Sequence, residues 1–166
     1  MSTLAAEAEN IASACQAMAL RFARGGRLVV LGSGGSRCDA AHVVVEFVHP
    51  VIVGKRALPA FSLEGPDLAD QLELLADPQD IVLVVTAGPV TEELSTALRS
   101  ARRRGLLTVA LSGADGWPVA PNPDAPDHAV AVASSDELVV KEAQVTCYHL
   151  LWELVHVFLG QPGGPS

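Results

Sequence analysis

The chain reads as an α/β protein, a three-layer α/β/α sandwich around a five-stranded parallel sheet, with long first and last helices. Short aliphatic runs alternate with helical patterns along its length. The central runs are unbroken by charge, as strands covered on both faces must be. Hydrophobic residues make up 49% of the sequence and aromatic residues 4%, which suits aliphatic strands under Ala-rich helices. At 166 residues the chain fits one domain, assigned to residues 1–160, with a disordered tail over 161–166.

The elements follow in order. Leu4, Ala8, Ile11, Ala12, Cys15, Met18, Ala19 and Phe22 recur at offsets of three and four, which predicts a helix closing at Gly25-Gly26. Arg27 to Leu31 is the first strand. A helix from Arg37 to Val48 is ended by Pro50, and Ala57 to Leu63 is the second strand. A short helix spans Pro66 to Leu75. Ile81 to Thr86 is the central-strand candidate. Thr91 is placed to cap a helix reaching Arg104, with Glu92 and Glu93 in its first turn. Leu107 to Leu111 is the fourth strand, Gly113 to Asp127 a surface loop, and His128 to Ala133 the fifth strand. Ser134-Ser135-Asp136 then caps a final helix ending at Leu159.

Charge and cysteine content narrow the function. A net charge of −8 argues against a nucleic-acid backbone as partner, since phosphate contacts need clustered Lys and Arg, and the one basic run, Arg102 to Arg104, reads as a solvated helix end. Cys15, Cys38 and Cys147 have no paired spacing, so a reducing cytoplasm is expected. Glu7 and Glu9 interrupt the first apolar pattern, which fits an amphipathic helix and not a signal peptide. No run approaches the about 18 apolar residues of a membrane span, so no membrane partner is expected.

The most informative segment is the turn Gly32-Ser33-Gly34-Gly35-Ser36 and the helix after it, which carries Cys38, His42, Glu46 and His49. A glycine-rich turn from strand to helix leaves N–H groups for an anion. Offsets of four place His42 and Glu46 on one helix face. Glu46 lies among Val43, Val44, Val45, Phe47 and Val48, where a charge needs a partner. Cys38 shares the face of His42 and reads as a buried inert thiol; His49 precedes Pro50 and reads as a helix-end residue. Far along the chain, His149 stands in the apolar run Tyr148, Leu150, Leu151, Trp152, where a hydrogen-bonded core histidine is the competing reading. His156 with Glu153 reads as a polar edge or a subunit contact, and Trp117 carries no assignment.

Four blocks in order, GRLVVLGSGGSRCDAAHVVVEF, LPAFSL, VVTAG and SSDELVVKEAQVTCYHLLWEL, resemble the sugar isomerase (SIS) domain family, specifically its phosphoheptose isomerase branch. The resemblance implies a flavodoxin-like sheet, a homotetramer or dimer with sites shared between subunits, and aldose–ketose isomerisation of a sugar phosphate. It places the base on Glu46 and the acid on His149. It also implies a zinc or other divalent ion on His42, Glu46 and His149, with the fourth ligand position taken by Lys141, whose ammonium cannot ligate. No nucleotide cofactor is expected.

The resemblance fails in part at the phosphate site. Where the family turn is rich in serines, this chain reads Thr86-Ala87-Gly88-Pro89-Val90-Thr91. Pro89 lacks an N–H, and Glu92 and Glu93 add negative charge. Pro50 stands where the family has an arginine, and Glu64-Gly65-Pro66-Asp67 replaces a threonine-rich loop. The substrate-binding candidates are Ser33, Gly34, Gly35, Ser36, Arg37, Thr86, Thr91, Asp136 and Lys141; Arg37 offers a bidentate donor, although arginine at a helix start also suits a plain surface position. The leading expectation is a cytoplasmic isomerase acting on a sugar phosphate or polyol with altered recognition. Two alternatives stay open: a non-catalytic SIS ligand sensor or oligomeric scaffold, and a metal-dependent enzyme on a non-phosphorylated substrate.

Overall fold

The computed structural model describes residues 7–117, 122 and 124–161. Leu4, at the predicted start of the first helix, parts of the 113–127 loop, and all of the predicted tail except Gln161 lie outside them. The elements are α1 (Ala8–Ala23), β1 (Leu28–Gly32), α2 (Ser36–Val48), β2 (Ala60–Leu63), α3 (Leu68–Leu75), β3 (Ile81–Val85), α4 (Glu92–Arg103), β4 (Leu107–Ser112), β5 (His128–Ala131) and α5 (Glu137–Leu159). The five strands form one parallel sheet in the order β2-β1-β3-β4-β5.

The two sheet faces carry separate cores because strand side chains alternate. Leu28, Val30, Ile81, Leu83 and Val85 pack under α1, α2 and α5, together with Met18, Phe47, Tyr148 and Leu151. Val29, Leu31, Val82 and Val84 face α3 and α4, with Leu72, Leu94, Leu98 and the loop residue Trp117. Trp117 thus belongs to the second core, pinning its loop to the sheet. β1, β3 and β4 are fully buried, and β3, the charge-free run that the sequence marks as central, is the middle strand of the sheet.

Strand order fixes the place of the site. β1 leads to β2 on one side, and the chain then returns to place β3 on the other, so the order reverses between β1 and β3. Gly32 pairs with Val85, and the turns after both strands emerge side by side at this switch point, where α/β sheets bind ligands. Gly32 is required there: a Cβ would lie 2.5 Å from the Ser36 carbonyl oxygen, and Gly34 holds φ +53°.

Several boundaries differ from the sequence reading. The second strand begins at Ala60 and not Ala57, because the Leu58 N–H donates to the Phe47 carbonyl at 2.8 Å and is claimed by the end of α2. β5 ends at Ala131, opposite the last residue of β4, Ser112. α3 starts at Leu68 because Asp67 takes φ +61°, outside helical geometry. Arg27 lies just before β1: its carbonyl accepts from the Ile81 N–H at 2.8 Å, but its own N–H donates to buried Asp80 at 2.7 Å, and its guanidinium reaches the same carboxylate.

Three polar readings are also corrected. Arg104 is not a solvated helix end: it donates to the Leu72 and Ala76 carbonyls at 2.7 and 2.6 Å, stitching α4 to α3, while Arg102 reaches the Ala125 carbonyl at 2.6 Å. His156 is buried, its ring nitrogens 2.8 Å from the Trp152 carbonyl and 3.1 Å from that of Arg56. Cys38 is exposed, because it sits in the first turn of α2 on the face turned from the sheet, whereas Cys15 and Cys147 are buried; all three are free.

Candidate active site

α2 and α5 lie side by side on the same sheet face and bring together His42, Glu46 and His149. The first pair follows from helical spacing alone, since residues four apart face the same way. His42 Nε2 donates to Glu46 Oε1 at 3.0 Å, and His149 Nε2 lies 3.6 Å from the same oxygen. Both imidazoles are nearly half exposed, at 44% and 46%, while the Glu46 side chain is 18% exposed. His149 is therefore a surface-facing residue of an otherwise apolar helix and not a core histidine. Glu46 is not isolated in the apolar run around it; the helix turns its carboxylate toward two partners.

Tyr148 completes the group. Its hydroxyl is 3.1 Å from His42 Nδ1, and its ring stands edge-on to both histidines at 5.4 and 5.1 Å. Burial first, then the nearby charges of Asp39 and Glu46, push the phenol up to about 12. The hydroxyl keeps its proton at neutral pH and donates to Nδ1, which leaves the other ring proton on Nε2, facing Glu46. A two-step chain, Tyr148 to His42 to Glu46, thus sets the ring tautomer.

The three donor atoms lie within 4.8 Å of one another. Two imidazole nitrogens and a carboxylate oxygen suit a divalent ion with three protein ligands and an open position, so the residues fit the metal that the resemblance implies. Lys141 takes no part in this group. Its ammonium pairs with Asp39 Oδ2 in the first turn of α2 and donates to the Gly35 carbonyl at 3.1 Å.

A separate cleft of about 230 Å3 lies over the two turns, lined by Ser33, Gly34, Gly35, Ser36, Thr86, Ala87, Gly88, Pro89, Thr91, Glu137 and Lys141. Larger hollows, of about 380 and 410 Å3, lie beside His156 and between the starts of α3 and α4, away from these groups. Most hydroxyls in the cleft are tied internally. Ser36 Oγ accepts from the Ala87 N–H at 3.1 Å, Thr86 donates to the Gly88 carbonyl, and Thr91 caps α4 by accepting from Leu94. The Ser36 and Arg37 amides donate to the Ser33 and Gly34 carbonyls, so the last amide of the expected anion hook and the one after it close on the turn itself. Arg37 is exposed and does not line the cleft. Asp136 is the α5 cap, accepting from the Leu138 N–H at 2.9 Å, and also lies outside the lining.

Asp39, Glu137, Gln144 and Tyr148 escaped the sequence reading. Buried Gln144 donates to the Thr86 carbonyl at 2.9 Å and holds α5 against the end of β3. A signal existed: Glu137, Lys141, Gln144 and Tyr148 recur at offsets of four, three and four, a polar stripe on an apolar helix.

The SIS domain profile matches residues 1–113. A phosphoheptose isomerase of Solidesulfovibrio magneticus is 34% identical over 92% of this chain and 80% of its own length. One from Pelobacter propionicus is also 34% identical, over 81% of this chain and 77% of its own. Among solved structures, a phosphoheptose isomerase from Francisella tularensis superposes with a TM-score of 0.79 at 24% identity, covering 90% of this chain and 86% of that one. The fold recurs in the enzyme of that name from Neisseria gonorrhoeae, with a TM-score of 0.79 at 19% identity over 93% and 89%. With a profile match over more than half its length and a relative of this identity along nearly all of it, the chain belongs to the SIS domain family.

Proposed function

We propose that this protein is a sugar-phosphate aldose–ketose isomerase of the phosphoheptose isomerase type with altered substrate recognition. The observation that carries the reading is the shared position of Glu46 Oε1 between His42 and His149, alongside curated relatives that are phosphoheptose isomerases. One carboxylate oxygen faces the imidazoles, which leaves the other for proton transfer. Glu46 removes the proton from the carbon beside the carbonyl, giving an enediol, and returns it to the neighbouring carbon. His149 moves the hydroxyl proton between the two oxygens, and His42, held by Tyr148, orients Glu46. His42, Glu46 and His149 would hold a divalent ion, which when bound supplies a Lewis acid for the carbonyl.

The substrate's charged end belongs in the cleft by Lys141. Eight residues of α5 separate Lys141 from His149, about 12 Å at the helical rise, a span that suits a small phosphorylated sugar. The homo-oligomer and the cytoplasmic location are part of the proposal, supported by exposed Val45, Leu138 and Val139 on the helices that carry the site and by three free cysteines. Among the described residues no helix is long and apolar enough to cross a membrane. Glu46→Gln tests the chemistry: over a panel of pentose to heptose phosphates, turnover should fall by about a hundredfold or more, the scale of a lost general base. Unchanged turnover, or a panel on which the unaltered protein turns nothing over, would sink the assignment.

A further inference from the structure

The cleft over the two turns holds one carboxylate that the reaction does not use. Glu137 opens α5, and its side chain lies against the turn after β3: a Cβ on Gly88 would meet Glu137 Oε1 at 2.7 Å. Among the described residues Glu137 forms no ion pair. Lys141, one helical turn further on, lines the same cleft. Two of its three N–H donors go to the Gly35 carbonyl and to Asp39, so one remains, and Asp39 offsets much of its charge. The cleft therefore presents a single open cationic donor beside an acceptor-only carboxylate.

A fully ionised phosphate is itself acceptor-only. Lys141 can serve it, but Glu137 offers it only lone pairs and like charge. We propose that Glu137 is a specificity-determining residue, its carboxylate an internal occupant of the anion cleft that a phosphorylated substrate has to displace. The displacement is feasible because the atom against Gly88 is the far end of an exposed, flexible side chain. A neutral, hydroxyl-bearing group meets no such opposition, since a hydroxyl donates to Glu137 while accepting from Lys141. The cleft is thereby biased against dianions and toward neutral, hydroxyl-rich ends. The inference rests on reading this cleft as the seat of the substrate's end, but its test does not require turnover.

Titration calorimetry of inorganic phosphate into the full chain and into Glu137→Gln reads it directly. Loss of the one negative charge beside a dianion should tighten phosphate binding on the order of tenfold, while the affinity for a neutral polyol such as sorbitol stays level or weakens. Glu137→Asp, which keeps the charge on a shorter arm, should fall between the two, and Lys141→Gln should weaken phosphate. Equal phosphate affinity in the full chain and Glu137→Gln, or none measurable in either, overturns the inference. Tighter phosphate binding without turnover of any sugar phosphate supports the inference and counts against the isomerase reading alone, so the two failures are distinguishable.

Discussion

Replacing Tyr148 with phenylalanine removes one hydroxyl and nothing else from the site. The ring is buried in the core beneath α5 and keeps its packing, so no cavity opens. What is lost is the 3.1 Å bond to His42 Nδ1. A neutral hydrogen bond of this kind contributes about 0.5–1.5 kcal/mol net, and the unpaired Nδ1 stays close to solvent on a half-exposed ring, which keeps the cost near the lower figure. Global stability should fall by about 1 kcal/mol or less. The same energy acts on the ring tautomer, where about 0.5–1 kcal/mol is roughly a two- to fivefold change in ratio. Nitrogen chemical shifts of labelled histidine should show the ratio of Nε2–H to Nδ1–H His42 falling by that factor, and kcat/KM should drop by no more than the same factor. A tautomer ratio within twofold of the unaltered protein would show that Glu46 alone orients the ring, and the relay from Tyr148 would be abandoned.

Lys141→Gln removes the ammonium from Asp39, a largely buried carboxylate, and should cost about 1–2 kcal/mol in urea unfolding; no loss would show that the pair is an exposed surface contact. Because position 141 lies about 12 Å along α5 from His149, the same variant should leave zinc affinity, measured with a competing chelator, unchanged; a rise would bring position 141 within reach of His42, Glu46 and His149. Alkaline pH should destabilise the fold. Burial holds the Cys15 and Cys147 thiols up to about 12 and 11, and Tyr148 to about 12, all above their ordinary values. Between pH 9 and these values the unfolded chain binds fewer protons than the folded one, so stability is intact below pH 9 and falls as pH rises. Urea midpoints from neutral pH to pH 11 should show that slope, flattened in Cys15→Ala; a level profile would mean that the thiols are wet.

What could be read in advance follows the range of the interactions. His42 and Glu46 are four apart on one helix, and β1 and β3 are charge-free runs; both patterns are local and survive in a string of letters. The Lys141–Asp39 and Tyr148–His42 contacts join residues 102 and 106 apart. They exist only because α2 and α5 pack on one sheet face, so Asp39 carried no mark of its own and Tyr148 only its place in the polar stripe of α5. Backbone competition was equally hidden: Leu58 reads as strand until the end of α2 claims its N–H, and the glycine turn reads as an anion hook until its own carbonyls take two of the amides. The two halves of the site therefore differ in kind. The stripe of His42, Glu46 and His149 is built from side chains that face outward and toward one another, which leaves them able to bind and react. The cleft spends most of its hydroxyls and some of its amides on its own turns, and Glu137 lines it together with its one cation. Selection of the substrate must then rest on few groups, and substitutions at Glu137 and Lys141 should change which sugars bind more readily than they change the chemistry done on them.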